Sequence, residues 1–127
     1  MKFFFDNNLS NKIAQAMDLL DQEVEVKHLT DIFNQNTQDS EWLKYIGENK
    51  MILLTKDRKI LKNVAEKQAI RRYKVGAFIL TAKNLPIWEI IRSIVNKWEE
   101  MKQLASTSKK PFAYQVPRKG KITKRLI

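Results

Sequence analysis

Residues 51–57, MILLTKD, decide the fold class of this chain. The apolar residues run without polar interruption over the length of one strand, which is typical of a central parallel strand covered on both faces. An acid, Asp57, follows at once. Because a covered parallel sheet needs helices on both faces, this stretch predicts an alternation of strands and helices on either side of it.

The residues before this stretch alternate as predicted. KFFF at residues 2–5 predicts a short buried strand, and Ser10 can cap the helix that follows it. The next segment, EVEVKHL, has the period-two pattern of a strand. Asp39 or Ser40 can cap a second helix that leads into MILLT.

The alternation continues after Asp57. A third helix is predicted over residues 60–72, followed by a buried strand, VGAFILTA. Asn84 then can cap a long helix with Pro86 in its first turn, where proline is tolerated. Two final segments are either late strands or a loose tail: FAYQV and KITKRLI. The pattern predicts an α/β fold, a three-layer α/β/α sandwich with a mainly parallel central sheet.

Composition limits the possible chemistry. The chain has 127 residues, enough for one domain, and no cysteine, which excludes disulfides, thiolate nucleophiles and zinc–sulfur sites. His28 is the only histidine. We expect its side chain to be hydrogen-bonded and half-buried. With no cysteine and only one histidine, the chain could bind a metal only through carboxylates, which suit magnesium, manganese or calcium. No apolar run reaches membrane-spanning length and no signal peptide is present, so we expect a cytoplasmic protein without a membrane partner.

The net charge of +10 is concentrated at the C-terminus. Residues 109–127 contain seven basic residues and no acid. Such a segment attracts polyanions by neutralising phosphates. We expect an α/β domain over residues 1–108 and a basic C-terminal extension over residues 109–127.

Three acids are predicted to lie at one edge of the sheet. Asp6 ends the first strand, Asp57 follows MILLT, and Asp39 begins the helix that leads into MILLT. If the two strands are neighbours, the three carboxylates converge, because ligands of open parallel sheets bind beyond the carboxyl ends of the strands. Asp39 and Asp57 each have a simpler explanation as helix caps. Asp6 ends a buried strand, where burying a carboxylate costs free energy unless it is paired, so this acid needs a binding partner or a functional role.

Converging carboxylates repel one another, so a cation would have to neutralise them. Magnesium or manganese can bind a few carboxylates, keep several waters, and activate one of those waters against a phosphate. This predicts phosphodiester hydrolysis with Asp6, Asp39 and Asp57 as metal ligands. An open cleft of this kind suits a single-stranded nucleic acid, whose phosphates are reached without melting a duplex.

The sequence resembles the PIN-like domain family, which includes the toxin nucleases of bacterial toxin–antitoxin pairs. The resemblance lies in FFFDNNLS, in DSEW, in LLTKDRKI with Asn63 and Glu66 after it, and in AFIL with a helix containing Trp88. It implies a three-layer α/β/α fold, metal-dependent ribonuclease activity and an antitoxin protein as a partner. By motif position, Asp6, Asp39 and Asp57 would be the metal-binding acids, with Glu41 as a weaker addition.

The chain departs from the family pattern at two places. The region AFILTAKNLP has no acid where well-known relatives carry one, and its polar residues there include Thr81 and Asn84. Asn8 stands where some relatives have a second acid. We therefore expect one metal rather than two.

Basic residues near the predicted site are candidates for RNA contact. Lys56, Arg58 and Lys59 flank Asp57, and they either contact phosphates or only balance the acids. From the C-terminal segment we add Arg118, Lys119 and Lys121. The three tryptophans lie at helical spacing and are predicted to be core rather than base-stacking residues: Trp42, Trp88 and Trp98.

Two other functions compete with the nuclease. The chain faintly resembles the receiver domain of phosphorelay systems, with Asp57 as phospho-acceptor and Thr81 and Lys110 as helpers, although Asn7 and Asn8 replace the usual acids. The chain is alternatively a non-catalytic module that binds RNA or an acidic protein. A homodimer is compatible with each function.

Overall fold

The computed structural model describes residues 1–82 and 84–127, which form one six-stranded sheet flanked by helices. The strands are β1 Lys2–Phe5, β2 Glu25–His28, β3 Ile52–Thr55, β4 Gly76–Leu80, β5 Phe112–Val116 and β6 Thr123–Arg125. The α-helices are α1 Asn11–Leu20, α2 Asp39–Glu48, α3 Val64–Arg72 and α4 Ile87–Thr107, and a short 3-10 helix covers Leu29–Asp31.

The sheet has the strand order β2-β1-β3-β4-β5-β6. Strands β1 to β5 are parallel, and β6 is antiparallel to β5. All four residues of β3 are buried, as its unbroken apolar sequence predicts for a central strand. Strand β1 pairs with β3, which was the condition for the predicted convergence of acids.

Two apolar cores lie on opposite faces of the sheet. Phe3 and Phe5 point into the core formed with α1 and α4, whereas Phe4 points into the core formed with α2 and α3. The opposite directions of neighbouring phenylalanines follow from the two-residue period of a strand. The predicted three-layer α/β/α sandwich with a mainly parallel sheet is therefore confirmed.

The sequence predicts the cap of α1 correctly but not the caps of α2 and α4. The side chain of Ser10 accepts a hydrogen bond from the Lys12 amide and caps α1, as predicted. Helix α2 begins at Asp39, but Gln38 occupies the cap position, so neither Asp39 nor Ser40 is the N-cap. Similarly, Pro86 rather than Asn84 occupies the cap position of α4, so Pro86 lies before the first turn of this helix and not within it as predicted.

The third helix is shorter than predicted. It begins at Val64 rather than at residue 60, because the side chain of Asn63 accepts a hydrogen bond from the Glu66 amide and caps it there. Residues 58–62 form turns. Asp57 consequently caps no helix, which removes the simpler explanation for this acid; its Oδ1 accepts from the Lys59 amide within a turn.

The basic C-terminal segment joins the sheet. Strand β5 pairs with β4 along its whole length, and β6 returns antiparallel beside β5. Of the two alternatives for FAYQV and KITKRLI, late strands are therefore confirmed. The segment predicted as an extension over residues 109–127 contributes two strands to the same sheet.

Two of the three tryptophans predicted to be core residues are buried. Trp42 and Trp98 are 2% and 5% exposed, but Trp88 is 67% exposed, so its prediction as a core residue is wrong. It lies in the first turn of α4, on the solvent side. His28 is more buried than predicted, at 2% exposure, and its ring contacts the Leu9 carbonyl and the Thr30 hydroxyl at 2.7 Å each. Among the described residues, no helix combines the length and hydrophobicity needed to cross a bilayer.

Candidate active site

The parallel pairing of β1 and β3 brings two of the predicted acids to one edge of the sheet. Phe5 is in register with Leu54, and the Asp6 amide donates to the Leu54 carbonyl at 3.0 Å. Asp57 comes two residues after the end of β3. Because both strands end at the same edge, their following residues lie beside each other, as the sequence predicts.

Thr55 connects these two acids. Its side chain is fully buried, and its hydroxyl donates to Asp6 Oδ2 at 2.8 Å. The same hydroxyl oxygen accepts a hydrogen bond from the Asp57 amide at 3.0 Å. One buried hydroxyl therefore sets the position of the Asp6 carboxylate and of the backbone that carries Asp57.

The two asparagines after Asp6 complete this arrangement. The Asn7 amide donates to Asp6 Oδ1 at 2.6 Å, and Asn8 Nδ2 donates to Asp6 Oδ2 at 3.3 Å. Asn8 Oδ1 also accepts from the Lys56 amide at 3.0 Å. Asn8 thus ties the loop after β1 to the loop after β3, a task that needs an amide with both a donor and an acceptor.

Asp39 is held by a tryptophan. It is the first residue of α2, and its Oδ1 accepts a hydrogen bond from Trp42 Nε1 at 3.1 Å. The Trp42 ring stacks on Phe4 with a centroid distance of 5.8 Å, so the donor itself is anchored in the core. The carboxylate of Asp39 is therefore oriented by a side chain rather than used as a helix cap.

A fourth acid, Glu66, joins the three predicted ones. It lies in the first turn of α3, and it belongs to the sequence pattern that resembles the family, although the sequence alone does not assign it to the site. Burial, hydrogen bonding to Asp39, and the charges of Asp39, Asp57 and Asp6 raise the pKa of Glu66 to about 8. Its Oε2 is buried without a hydrogen-bond partner among the described residues. The sequence signal was Asn63 three residues earlier, a spacing that also predicts an ordinary capping pair.

The four carboxyl groups share one electrostatic environment. Burial is the main cause that raises the pKa of Asp6, and the charges of Asp39 and Asp57 raise it further. Hydrogen bonds from Thr55 and Asn7 act in the opposite direction and favour the carboxylate. The pKa of Asp6 is raised despite these hydrogen bonds, so negative charge on this carboxyl is disfavoured, and a bound cation would offset that cost.

The residues fit a hydrated hard cation better than a closed cage. Within residues 1–82 and 84–127, no three acidic or histidine side chains are grouped so that they could hold a metal ion by themselves. Magnesium commonly binds through one or two carboxylates and keeps several waters. The all-oxygen donor set and the orphaned Glu66 Oε2 suit such an ion.

A basic cleft of about 800 Å³ opens beside these acids. Asp57 lines it together with three basic residues predicted to contact RNA, Lys56, Arg58 and Lys59. Other lining residues were not predicted: Lys62, Lys67, Gln115 and Arg125.

The second predicted basic group lies elsewhere. Arg118, Lys119 and Lys121 do not line the cleft. Arg118 instead forms an ion pair with Glu89 of α4, with Nη2 and Oε2 2.8 Å apart. These residues follow β5 in the segment that leads to β6, where Lys97 of α4 also donates a hydrogen bond to the Gly120 carbonyl.

The structure does not bring together the residues that a receiver domain would need. Lys110 precedes β5, whereas Asp57 and Thr81 follow β3 and β4. Since these strands are parallel, Lys110 lies at the opposite edge of the sheet from the other two residues. The predicted role of Lys110 as a helper of Asp57 in a receiver domain is therefore wrong.

A family model described as PIN like domain matches residues 1–82 of the chain. These residues run from β1 to the end of β4 and include all four acids. No curated protein and no solved structure matches the chain. The family match covers more than half of the sequence and agrees with the observed three-layer fold. The fold of PIN-like domains is of a nuclease type. The chain is therefore a member of the PIN-like domain family.

Proposed function

We propose that this protein is a magnesium- or manganese-dependent ribonuclease that hydrolyses phosphodiester bonds of single-stranded RNA. The observation that carries the proposal is the convergence of Asp6, Asp39, Asp57 and Glu66 beside a basic cleft. Acids alone would repel RNA, and basic residues alone would bind it without cleaving it. Their juxtaposition fits a site where a cation and a phosphate meet.

Asp6, Asp39, Asp57 and Glu66 would hold the cation, directly or through water. When bound, the ion would supply Lewis acidity and lower the pKa of a coordinated water. The protein contributes orientation: Thr55 and Asn7 hold Asp6, and Trp42 holds Asp39. Without a cation, the raised pKa of Glu66 means that its carboxyl keeps a proton at neutral pH, which reduces the repulsion among the acids.

The basic residues of the cleft would hold the RNA backbone. Lys56, Arg58 and Lys59 come from the loop that also carries Asp57, so a phosphate bound by them lies next to the acids. Neutralisation of phosphates supplies most of the affinity in such complexes and makes it strongly salt-dependent.

The proposal includes a toxin role with an antitoxin-like protein partner. An apolar groove of about 250 Å³ lies between α1 and α4, and it is lined by exposed residues that include Leu20, Trp88 and Val95. Clustered apolar surface of this kind marks interaction sites.

Light scattering on wild type and Trp88→Asp distinguishes the two possible occupants of the groove. A wild-type dimer that the substitution abolishes would assign the groove to a second copy of the chain. A monomeric wild type would leave the groove free for another protein.

One observation favours a second candidate, a non-catalytic RNA-binding module. The acids do not form a ready metal cage among the described residues, and a site too loose to hold a cation would bind RNA without cutting it. In this second candidate function, the basic cleft binds RNA but the acids do not catalyse its cleavage.

The deciding experiment is a cleavage assay on single-stranded RNA with magnesium or manganese. We expect cleavage by wild type, loss of cleavage with EDTA, and loss of at least about 10²-fold in rate for Asp6→Asn with the fold retained. Glu100→Gln, a change at an exposed acid on α4, serves as the matched control. Cleavage by Asp6→Asn at the wild-type rate refutes the site. RNA binding without metal-dependent cleavage by wild type establishes the non-catalytic module.

A further inference from the structure

The cleft beside Asp57 has walls from three separate parts of the chain. Arg58, Lys59 and Lys62 come from the turns after β3, Lys67 comes from α3, and Arg125 comes from β6. Arg125 lies far outside the residues matched by the family model, which end at residue 82. The C-terminal hairpin therefore adds a wall to this site that the matched part of the family does not contain.

The position of Arg125 follows from the sheet pairing. Strand β6 runs antiparallel to β5, with Arg125 opposite Ala113 and Thr123 opposite Gln115. This return brings the end of the chain back along β5 at the edge of the sheet, and Arg125 lines the cleft together with Ile79 and Gln115. The basic C-terminus is consequently fixed by backbone pairing and is not a free arm.

The cleft carries a strong excess of positive charge. It is lined by six basic residues and one acid: Lys56, Arg58, Lys59, Lys62, Lys67, Arg125 and Asp57. Within the described part of the chain, none of the six basic side chains forms an ion pair, whereas Lys102 and Arg118 elsewhere do. All six are exposed or partly exposed, so they are available to a ligand.

We propose that this cleft is the binding channel for several consecutive phosphates of a single RNA strand, and that Lys62, Lys67 and Arg125 hold the part of the strand that leads away from the acids. The inference deepens the proposed function and rests on it for the identity of the ligand. It also replaces Arg118, Lys119 and Lys121 as the C-terminal contacts, because the cleft residues lie with Asp57 and those three do not.

The test measures binding of a fluorescent oligouridylate by anisotropy as a function of salt, with EDTA present so that no cleavage occurs. Six phosphate contacts to a single strand predict a slope of about −4 for log affinity against log salt. The variant Lys62→Gln, Lys67→Gln, Arg125→Gln should have a slope of about −2. Between about 50 mM and about 200 mM salt, wild type should lose about 300-fold in affinity and the variant about 20-fold.

The matched control is Lys109→Gln, Lys119→Gln, Lys121→Gln. It removes the same number of charges from exposed residues that do not line the cleft. We expect it to keep a slope close to that of wild type. An equal loss of slope in both variants, or a larger loss in the control, overturns the proposed channel. An unchanged slope in the cleft variant, with its fold verified by thermal unfolding, also overturns it.

The binding test is independent of catalysis. If binding depends on the cleft residues but metal never produces cleavage, the channel stands and the ribonuclease proposal fails. If metal-dependent cleavage is found but binding depends on the control residues instead, the ribonuclease proposal stands and the channel fails.

Discussion

The hydroxyl of Thr55 lies 2.8 Å from Oδ2 of Asp6, across the boundary between two parallel strands. This contact joins a residue at the end of β3 to the acid that follows β1, 49 positions apart in sequence. It is buried, and it accompanies a second hydrogen bond from the Asp57 amide to the same hydroxyl. The Thr55 side chain therefore links the two strand ends, in addition to the backbone pairing and to Asn8.

Thr55→Val should disturb the site and the fold together. Valine has nearly the same shape but no hydroxyl, so Asp6 loses a donor and the partly buried Asp57 amide loses its acceptor. We expect a loss of about 1–3 kcal/mol in the free energy of unfolding, measured in urea. The pKa of Asp6 should rise further, because the hydrogen bond that lowers it is gone.

Thr55→Ser is the control for this prediction. Serine keeps the hydroxyl, so it should restore the pH profile of RNA cleavage even if the lost methyl group costs some stability. A valine variant with the stability and pH profile of wild type would show that the hydroxyl does not position Asp6.

Glu66→Gln should stabilise the metal-free protein at alkaline pH. The pKa of Glu66 is raised from 4.5 to about 8, so the folded state binds more protons than the unfolded state between these values. The free energy of unfolding should therefore fall as the pH rises from about 5 to about 8 in wild type, and this fall should be smaller in the variant. Thermal unfolding in EDTA across this pH range measures it.

Added magnesium should reverse the effect of Glu66 at about pH 8. A bound cation favours the ionised carboxyl, so wild type should gain more in Tm from magnesium than Glu66→Gln does. Glu100→Gln changes an exposed acid on α4 and should behave as wild type in both measurements. Equal pH profiles for wild type and Glu66→Gln would contradict the placement of Glu66 among the acids.

Asp21→Asn should make the free energy of unfolding depend less on pH in the acidic range. Asp21 accepts hydrogen bonds from Lys102 Nζ at 2.8 Å and Trp98 Nε1 at 2.7 Å, and these contacts lower its pKa below 3.8. Its contribution is therefore present above about pH 4 and is lost as the pH falls through the lower folded-state value.

For Asp21→Asn we expect a loss of about 2 kcal/mol near neutral pH, because two hydrogen bonds to a charged group are weakened. The difference from wild type should shrink as the pH falls below 4. Urea unfolding at several pH values checks it, and a difference that stays constant down to pH 2 argues against an ionic contribution. Lys44→Ala, which removes a surface ion pair with Glu48, should have little effect at any pH.

Gly47→Ala should destabilise the protein although alanine favours helices. The gain in helix propensity is about 1 kcal/mol. A Cβ at this position would lie 2.2 Å from the Tyr73 carbonyl oxygen, which is backbone at the end of α3. Helices α2 and α3 would have to separate, so we expect a net loss of about 1–3 kcal/mol.

Because α2 carries Asp39 and α3 carries Glu66, Gly47→Ala should also weaken metal-dependent cleavage at a temperature where the variant remains folded. Unfolding and cleavage assays on the same preparation measure both effects. A stabilised Gly47→Ala protein would mean that the two helices do not approach so closely.

Much of this fold is determined locally by the sequence. The apolar runs at β1, β3 and β4, the Ser10 cap and the alternation of strands and helices predict a mainly parallel α/β/α sandwich, and the structure confirms it. Asp6 and Asp57 were predictable for the same reason, since a residue that follows a parallel strand lies at the carboxyl edge of the sheet.

Only the tertiary structure decides which side chains meet there. Glu66 looks like a capping residue until α3 is placed against α2, where it approaches Asp39. Arg125 looks like part of a loose basic tail until β6 pairs with β5 and turns it into the cleft, whereas Arg118 is directed to Glu89. Sequence patterns report whether a segment buries one face, but the contacts between distant segments depend on strand order and register, which local patterns do not contain.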